Sequence, residues 1–167
     1  MFTYVFTENG LVSFKNTQLF HEKKISEFLG EDKLKKIINF CLRYIADLDL
    51  PIKRGTFIEY RTGLINVSPI GRNCSQKERN EFDAYNKQHK VLENFKIAVQ
   101  KEFSSYNMKF SIGGQISFDC FPIGWDKTYC LQFLDEYDNV FFFGDKTSEV
   151  ICLFYFIFRV GMTMKSI

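Results

Sequence analysis

The sequence predicts an α/β chain in two parts: an α+β unit with an antiparallel sheet over residues 22–122, then a piece of an open α/β sheet over 123–147. Three observations carry this. Residues 31–48 place Leu34, Ile37, Ile38, Cys41, Ile45 and Leu48 at helical spacing, and Pro51 ends the run. Short strand-like runs at about 55–61 and 64–68 flank Thr62-Gly63, a hairpin turn signal. Finally, Val140 to Phe143 is a continuous apolar run, as in a strand covered on both faces, and Gly144-Asp145 follows it.

The remaining elements fall into place around these. Tyr4-Val5-Phe6 before Glu8-Asn9-Gly10 reads as a strand and turn, and residues 11–14 and 18–20 pair across Asn16 as a small hairpin. Ser75-Gln76-Lys77-Glu78 is a capping box, which opens a polar helix containing Arg79. Leu92, Phe95, Val99 and Phe103 line one stripe of a helix over about 90–105. A strand region from Lys109 to Phe121 breaks at Gly113-Gly114; in it Ser117 and Asp119 share one face, and Ile116, Phe118 and Cys120 the other. Asp126 is placed to cap a last helix over about 127–136. Trp125 reads as packing, and His21 and His89 read as surface residues without a neighbouring nucleophile.

Composition narrows the function. A net charge of +2 gives no general pull toward nucleic acid. The apolar stretch 150–160 is too short for a bilayer, which takes about 20 residues. Residues 1–10 show no basic stretch leading into an apolar run, so no secretory leader is expected. Five scattered cysteines without a CxxC pair suit reduced thiols in a cytoplasmic protein. The positive signal is a set of three arginines, Arg61, Arg72 and Arg79, spread over a hairpin, a Pro-Gly loop and a helix start. The planar guanidinium grips a phosphate through paired hydrogen bonds and keeps its charge. Composition alone would leave them on the surface; the strings around them favour the grip.

Those strings, GTFIEYRTGLINVSPIGRNCSQKERNEF (55–82), FSIGGQISFDCFPIGWDKTYCL and FFFGDKT, together resemble eukaryotic phosphomannomutases of the haloacid dehalogenase superfamily, from about Tyr4 to Thr147. The resemblance implies a haloacid-dehalogenase-like α/β fold, in which a cap with an antiparallel sheet is inserted into a Rossmann-like core. Residues 22–122 then form the cap, 1–21 and 123–147 are fragments of an incomplete core, and 148–167 are a divergent apolar tail. It further implies that Arg61, Arg72 and Arg79 hold the substrate phosphate, that Ser117 and Asp119 contact the sugar phosphate and sugar hydroxyls, that Asp145 is a Mg²⁺ ligand, and that Lys127 lies near the core phosphate. The implied reaction interconverts mannose 6-phosphate and mannose 1-phosphate for GDP-mannose synthesis and glycosylation, with Mg²⁺, a hexose 1,6-bisphosphate activator and a homodimer formed through the cap. No nucleic acid or membrane partner is expected.

The resemblance also has gaps. The Asp-x-Asp-Gly-Thr string that supplies the family's nucleophile and general acid does not occur in these residues, and a Gly-Asn-Asp loop does not follow Thr147. A covalent phosphoryl transfer needs a positioned carboxylate and a metal clamp. The chain by itself is therefore expected to be inactive. The alternative is a non-catalytic fragment that binds a sugar phosphate or dimerises through its cap.

Overall fold

A computed structural model of the chain describes residues 2–135 and 137. It is mixed α/β with two antiparallel sheets. The first is a meander of β1 (Tyr4–Thr7), β2 (Val12–Lys15) and β3 (Gln18–Glu22). Asn16 and Thr17 both take positive φ, which makes the two-residue turn between β2 and β3. The first hairpin turn is a 3-10 segment at Glu8–Gly10. Gly10 has φ +93°, and a Cβ there would meet Cys130.

The second sheet runs in the order β4-β5-β7-β6, from β4 (Ile58–Tyr60), β5 (Ile65–Val67), β6 (Met108–Gly113) and β7 (Ser117–Pro122). Its register sorts side chains by parity. Ile58, Val67, Phe118 and Ile112 form one cross-strand row, and Tyr60, Ile65, Cys120 and Phe110 another. Both rows lie on the face that carries the core. There α2 (Glu31–Asp47) and α4 (Val91–Glu102) supply Leu34, Ile37, Cys41, Ile45, Leu92, Phe95 and Val99, all buried. Phe95 links the layers, stacking on Tyr44 at 4.1 Å and meeting Phe118 edge-on at 5.0 Å. The intervening row, Glu59, Asn66, Asp119 and Ser111, belongs to the opposite face and is polar throughout.

Most expected elements are present, with differences at their ends. The helix expected over 31–48 ends at Asp47, and the one expected over 90–105 spans 91–102 before a 3-10 turn at Ser104–Tyr106. The capping box forms on α3 (Gln76–His89): Ser75 Oγ accepts from the Glu78 amide, and Glu78 Oε2 accepts from the Ser75 amide at 2.7 Å. A short helix, α1 (Ile25–Leu29), went unforeseen; five residues hold too few turns for a periodic pattern.

The helix expected over 127–136 is corrected to a 3-10 segment at Tyr129–Phe133. Asp126 Oδ1 turns back to accept from the Thr128 amide at 3.0 Å and from its hydroxyl at 2.6 Å. The backbone then closes i→i+3 bonds, Tyr129 to Asp126 and Leu131 to Thr128. This segment packs its aromatics on the meander: Phe133 lies 5.9 Å from Phe6 and 5.3 Å from Phe20. The apolar strand at 140–143, Asp145 and the tail 148–167 lie outside the described residues. Trp125 is buried against Phe28, as expected of a packing residue. His21 is half-buried against Tyr129 Oη, 3.0 Å away, and His89 stacks on Tyr85.

Candidate functional site: an arginine cluster on the polar sheet face

The loop after β5 sets the site. Ser68-Pro69-Ile70-Gly71 turns back along residues 54–57, with the Arg54 amide donating to Ile70 O and the Arg72 amide to Thr56 O. Gly71 has φ +85°, and a Cβ there would collide with the backbone of Gly55, so this crossing admits no side chain. The close approach delivers Arg72 to the end of the polar row.

There the side chains join into one network. Arg72 Nε contacts Glu59 Oε2 at 2.8 Å, and Arg72 Nη1 donates to Asn66 Oδ1 at 2.8 Å. Arg61 Nη2 donates to the same Glu59 oxygen at 2.8 Å. Asn66 Nδ2 donates to Asp119 Oδ1 at 2.7 Å and to Ser117 Oγ at 3.1 Å. Arg79, one turn into α3, donates through Nη2 to the Arg72 carbonyl at 2.9 Å and through Nε to that of Cys74 at 3.5 Å. The capping box fixes that turn, and Glu78 also pairs with Arg54 at 2.6 Å. Thus Arg61, Arg72, Ser117 and Asp119 are brought together through Glu59 and Asn66, while Arg79 joins through the Arg72 backbone.

Burial and charge differ across the cluster. Arg61, Arg72, Arg79, Asp119 and Glu59 are half-buried; Asn66 and Ser117 are each only 4% exposed. Ser117 Oγ also donates to Gly113 O at 3.3 Å. The hydrogen bond from Arg61 holds the Glu59 carboxyl below the usual carboxylate range, outweighing the opposing desolvation and helped by the charges of Arg61 and Arg72. Glu59 therefore stays ionised at neutral pH. Each guanidinium has five N–H donors, so both arginines keep donors beyond those engaged here. An oxyanion is the natural ligand of such donors.

Glu59 and Asn66 were missed from sequence. Nothing local marks an asparagine between Ile65 and Val67; only the sheet register puts it beside Asp119. A weak signal existed, since Glu59 and Arg61 stand two apart on one strand face. Lys127 is exposed, and its carbonyl accepts from Cys130 Sγ. Asp145 lies outside the described residues, and among those residues no three potential metal ligands cluster. No helix among them is long and apolar enough to cross a membrane.

Comparison with known proteins identifies the lineage. A family model described as eukaryotic phosphomannomutase matches residues 1–165, running past Thr147 into the stretch where the quoted motifs stop. The phosphomannomutase of Dendrobium officinale is 59% identical over 146 residues, covering 87% of this chain and 58% of that protein. That of Solanum lycopersicum is 58% identical over 146 residues, with the same coverage of both chains. Phosphomannomutase 2 of Dictyostelium discoideum is 57% identical over 148 residues, covering 87% of this chain and 59% of its own. The chain thus spans somewhat under three fifths of the length of these curated relatives. With the family model spanning nearly every residue and identities near 58%, this chain belongs to the eukaryotic phosphomannomutase family.

Proposed function

We propose that these residues form the sugar-phosphate-holding part of a phosphomannomutase, which interconverts mannose 6-phosphate and mannose 1-phosphate to supply GDP-mannose for glycosylation. The observation that carries this reading is the convergence of Arg61 and Arg72 on one oxygen of Glu59, beside Asn66 and Asp119. Fixed guanidinium donors suit a phosphate dianion, and Asp119 offers a carboxylate to sugar hydroxyls. Arg79 completes the grip from the start of α3. A mutase presents both ends of one sugar to the same reacting group, so its second holding site must grip a phosphate tightly and the ring loosely. A site rich in arginine meets the first demand.

Mg²⁺, a hexose 1,6-bisphosphate activator, a homodimer and a cytoplasmic setting belong to the same proposal. Asp145, the residue proposed to hold the metal, lies outside the described residues, so the chemistry argued from the described ones is that of holding the ester. The 167 residues contain no Asp-x-Asp-Gly-Thr string, so as an isolated polypeptide they should bind the ester without transferring its phosphoryl group. Calorimetry with mannose 1-phosphate, together with a coupled mutase assay containing Mg²⁺ and a hexose bisphosphate, tests both halves. Saturable binding without turnover is expected. Absence of binding would refute the holding role, and robust turnover would refute the inactivity.

A further inference from the structure

Glu59 carries no donor for a phosphate, yet it touches two of the three arginines of the cluster. We propose that Glu59 is a positioning residue for sugar-phosphate binding, whose one carboxylate oxygen aligns Arg61 and Arg72 so that their remaining N–H groups face a single phosphate. This rests on the phosphate-holding reading given above.

Arg61 and Arg72 come from different segments, one just past β4 and the other in the loop after β5, so no shared backbone element sets their guanidinium groups side by side. Glu59 Oε2 does, at 2.8 Å from each. Arg72 has a second anchor in Asn66 Oδ1. Among the described residues, the Arg61 guanidinium has Glu59 as its sole hydrogen-bonded partner. Long side chains lose rotamer freedom when a ligand orders them, and a partner that orders them in advance removes that cost from binding. The opposing effect is repulsion between the carboxylate and an incoming phosphate. If repulsion dominated, Glu59 would be a competitor and its removal would tighten binding. Three guanidinium groups against the two carboxylates of Glu59 and Asp119 leave the cluster net positive, so alignment should win.

Charge and alignment separate in two variants. Glu59→Gln keeps a carbonyl oxygen that accepts from both arginines, whereas Glu59→Ala removes it. The assay is calorimetric titration of the 167-residue chain with mannose 1-phosphate, with inorganic phosphate as the sugar-free probe. Alongside it, side-chain Nε–H NMR of the arginines reports their order, which a merely structural role for Glu59 would not move selectively. Ordering two long side chains predicts that Glu59→Ala binds either probe roughly tenfold more weakly. Its Arg61 Nε–H signal should broaden, while Glu59→Gln stays within about threefold of wild type and keeps that signal. Unchanged or tighter binding by Glu59→Ala overturns the proposal, as does a folded Glu59→Gln as weak as Glu59→Ala. Wild-type chain that binds neither probe overturns the phosphate reading as well; wild-type binding with indifferent variants overturns the role of Glu59 alone.

Discussion

Asn66→Asp is the sharpest test of the polar row, because it preserves shape and changes one donor into an acceptor. In the native chain Asn66 Nδ2 serves Asp119 Oδ1 at 2.7 Å and Ser117 Oγ at 3.1 Å, and only 4% of the residue is exposed. Aspartate forfeits the bond to Asp119, about 1 kcal/mol, and keeps Ser117 only by turning its hydroxyl away from Gly113 O, which loses about 1 kcal/mol more. It also sets two carboxylates against one another; at an effective dielectric near 20 and about 4 Å that repulsion approaches 4 kcal/mol, and solvent at the half-buried Asp119 cuts it to about 2 kcal/mol. The new charge strengthens the contact with Arg72 Nη1 by about 1 kcal/mol. The net expectation is a loss of about 3 kcal/mol at pH 7.5, or roughly 10 °C in Tm for a chain of this size. A proton placed between the two carboxylates restores a donor, so the gap to wild type should narrow as the pH falls toward about 4.5. Thermal melts followed by circular dichroism at the two pH values measure this. A Tm gap that is absent, or that stays constant across that pH range, would refute the hydrogen-bond assignment for the row.

Other perturbations probe neighbouring links. Gly71→Ala drives a Cβ into the Gly55 backbone at φ +85° and should displace Arg72, weakening mannose 1-phosphate binding at least tenfold, a loss of about 1.4 kcal/mol, in titration calorimetry. Phe118→Ala empties a fully buried site beneath Phe95 and should cost about 3–5 kcal/mol in a urea melt; a loss below about 1 kcal/mol would mean that α4 does not pack on β7 as described. Burial pushes the Cys41 thiol up to about 12 and the Cys120 thiol upward as well. Both should therefore resist iodoacetamide at pH 8 in the native chain and react on unfolding, as read by peptide mass spectrometry. Rapid native labelling of either would contradict the core.

Legibility of the fold followed the range of the physics involved. The helices α2, α3 and α4 were readable because their signals are local: Leu34, Ile37, Cys41 and Ile45 repeat at helical spacing, and Ser75 and Glu78 cap each other within one turn. The opposite faces of Ser117 and Phe118 were readable from strand alternation. Glu59 and Asn66 were not, since their meaning arises only when β4, β5 and β7 come into register, and three-residue strands carry too little pattern to fix one. The segment after Asp126 misled for a related reason. Aspartate caps helices and Asx turns with the same oxygen, and packing of Tyr129 and Phe133 on the meander favours the tighter 3-10 winding.

Within the site, the three arginines were found by residue type and by resemblance, and the structure adds how they are held. Arg61 and Arg72 meet on a carboxylate, and Arg79 anchors to the backbone of Arg72. Guanidinium groups supported this way depend for their placement on their neighbours.

The most direct measurement is a crystal structure of this chain with mannose 1-phosphate, read for the position of the phosphorus atom. The account predicts phosphate oxygens within hydrogen-bond reach of Arg61 and Arg72, with Arg79 alongside and the sugar toward Asp119. An ester bound elsewhere, with the Glu59 network intact and its guanidinium groups facing only solvent, would contradict it.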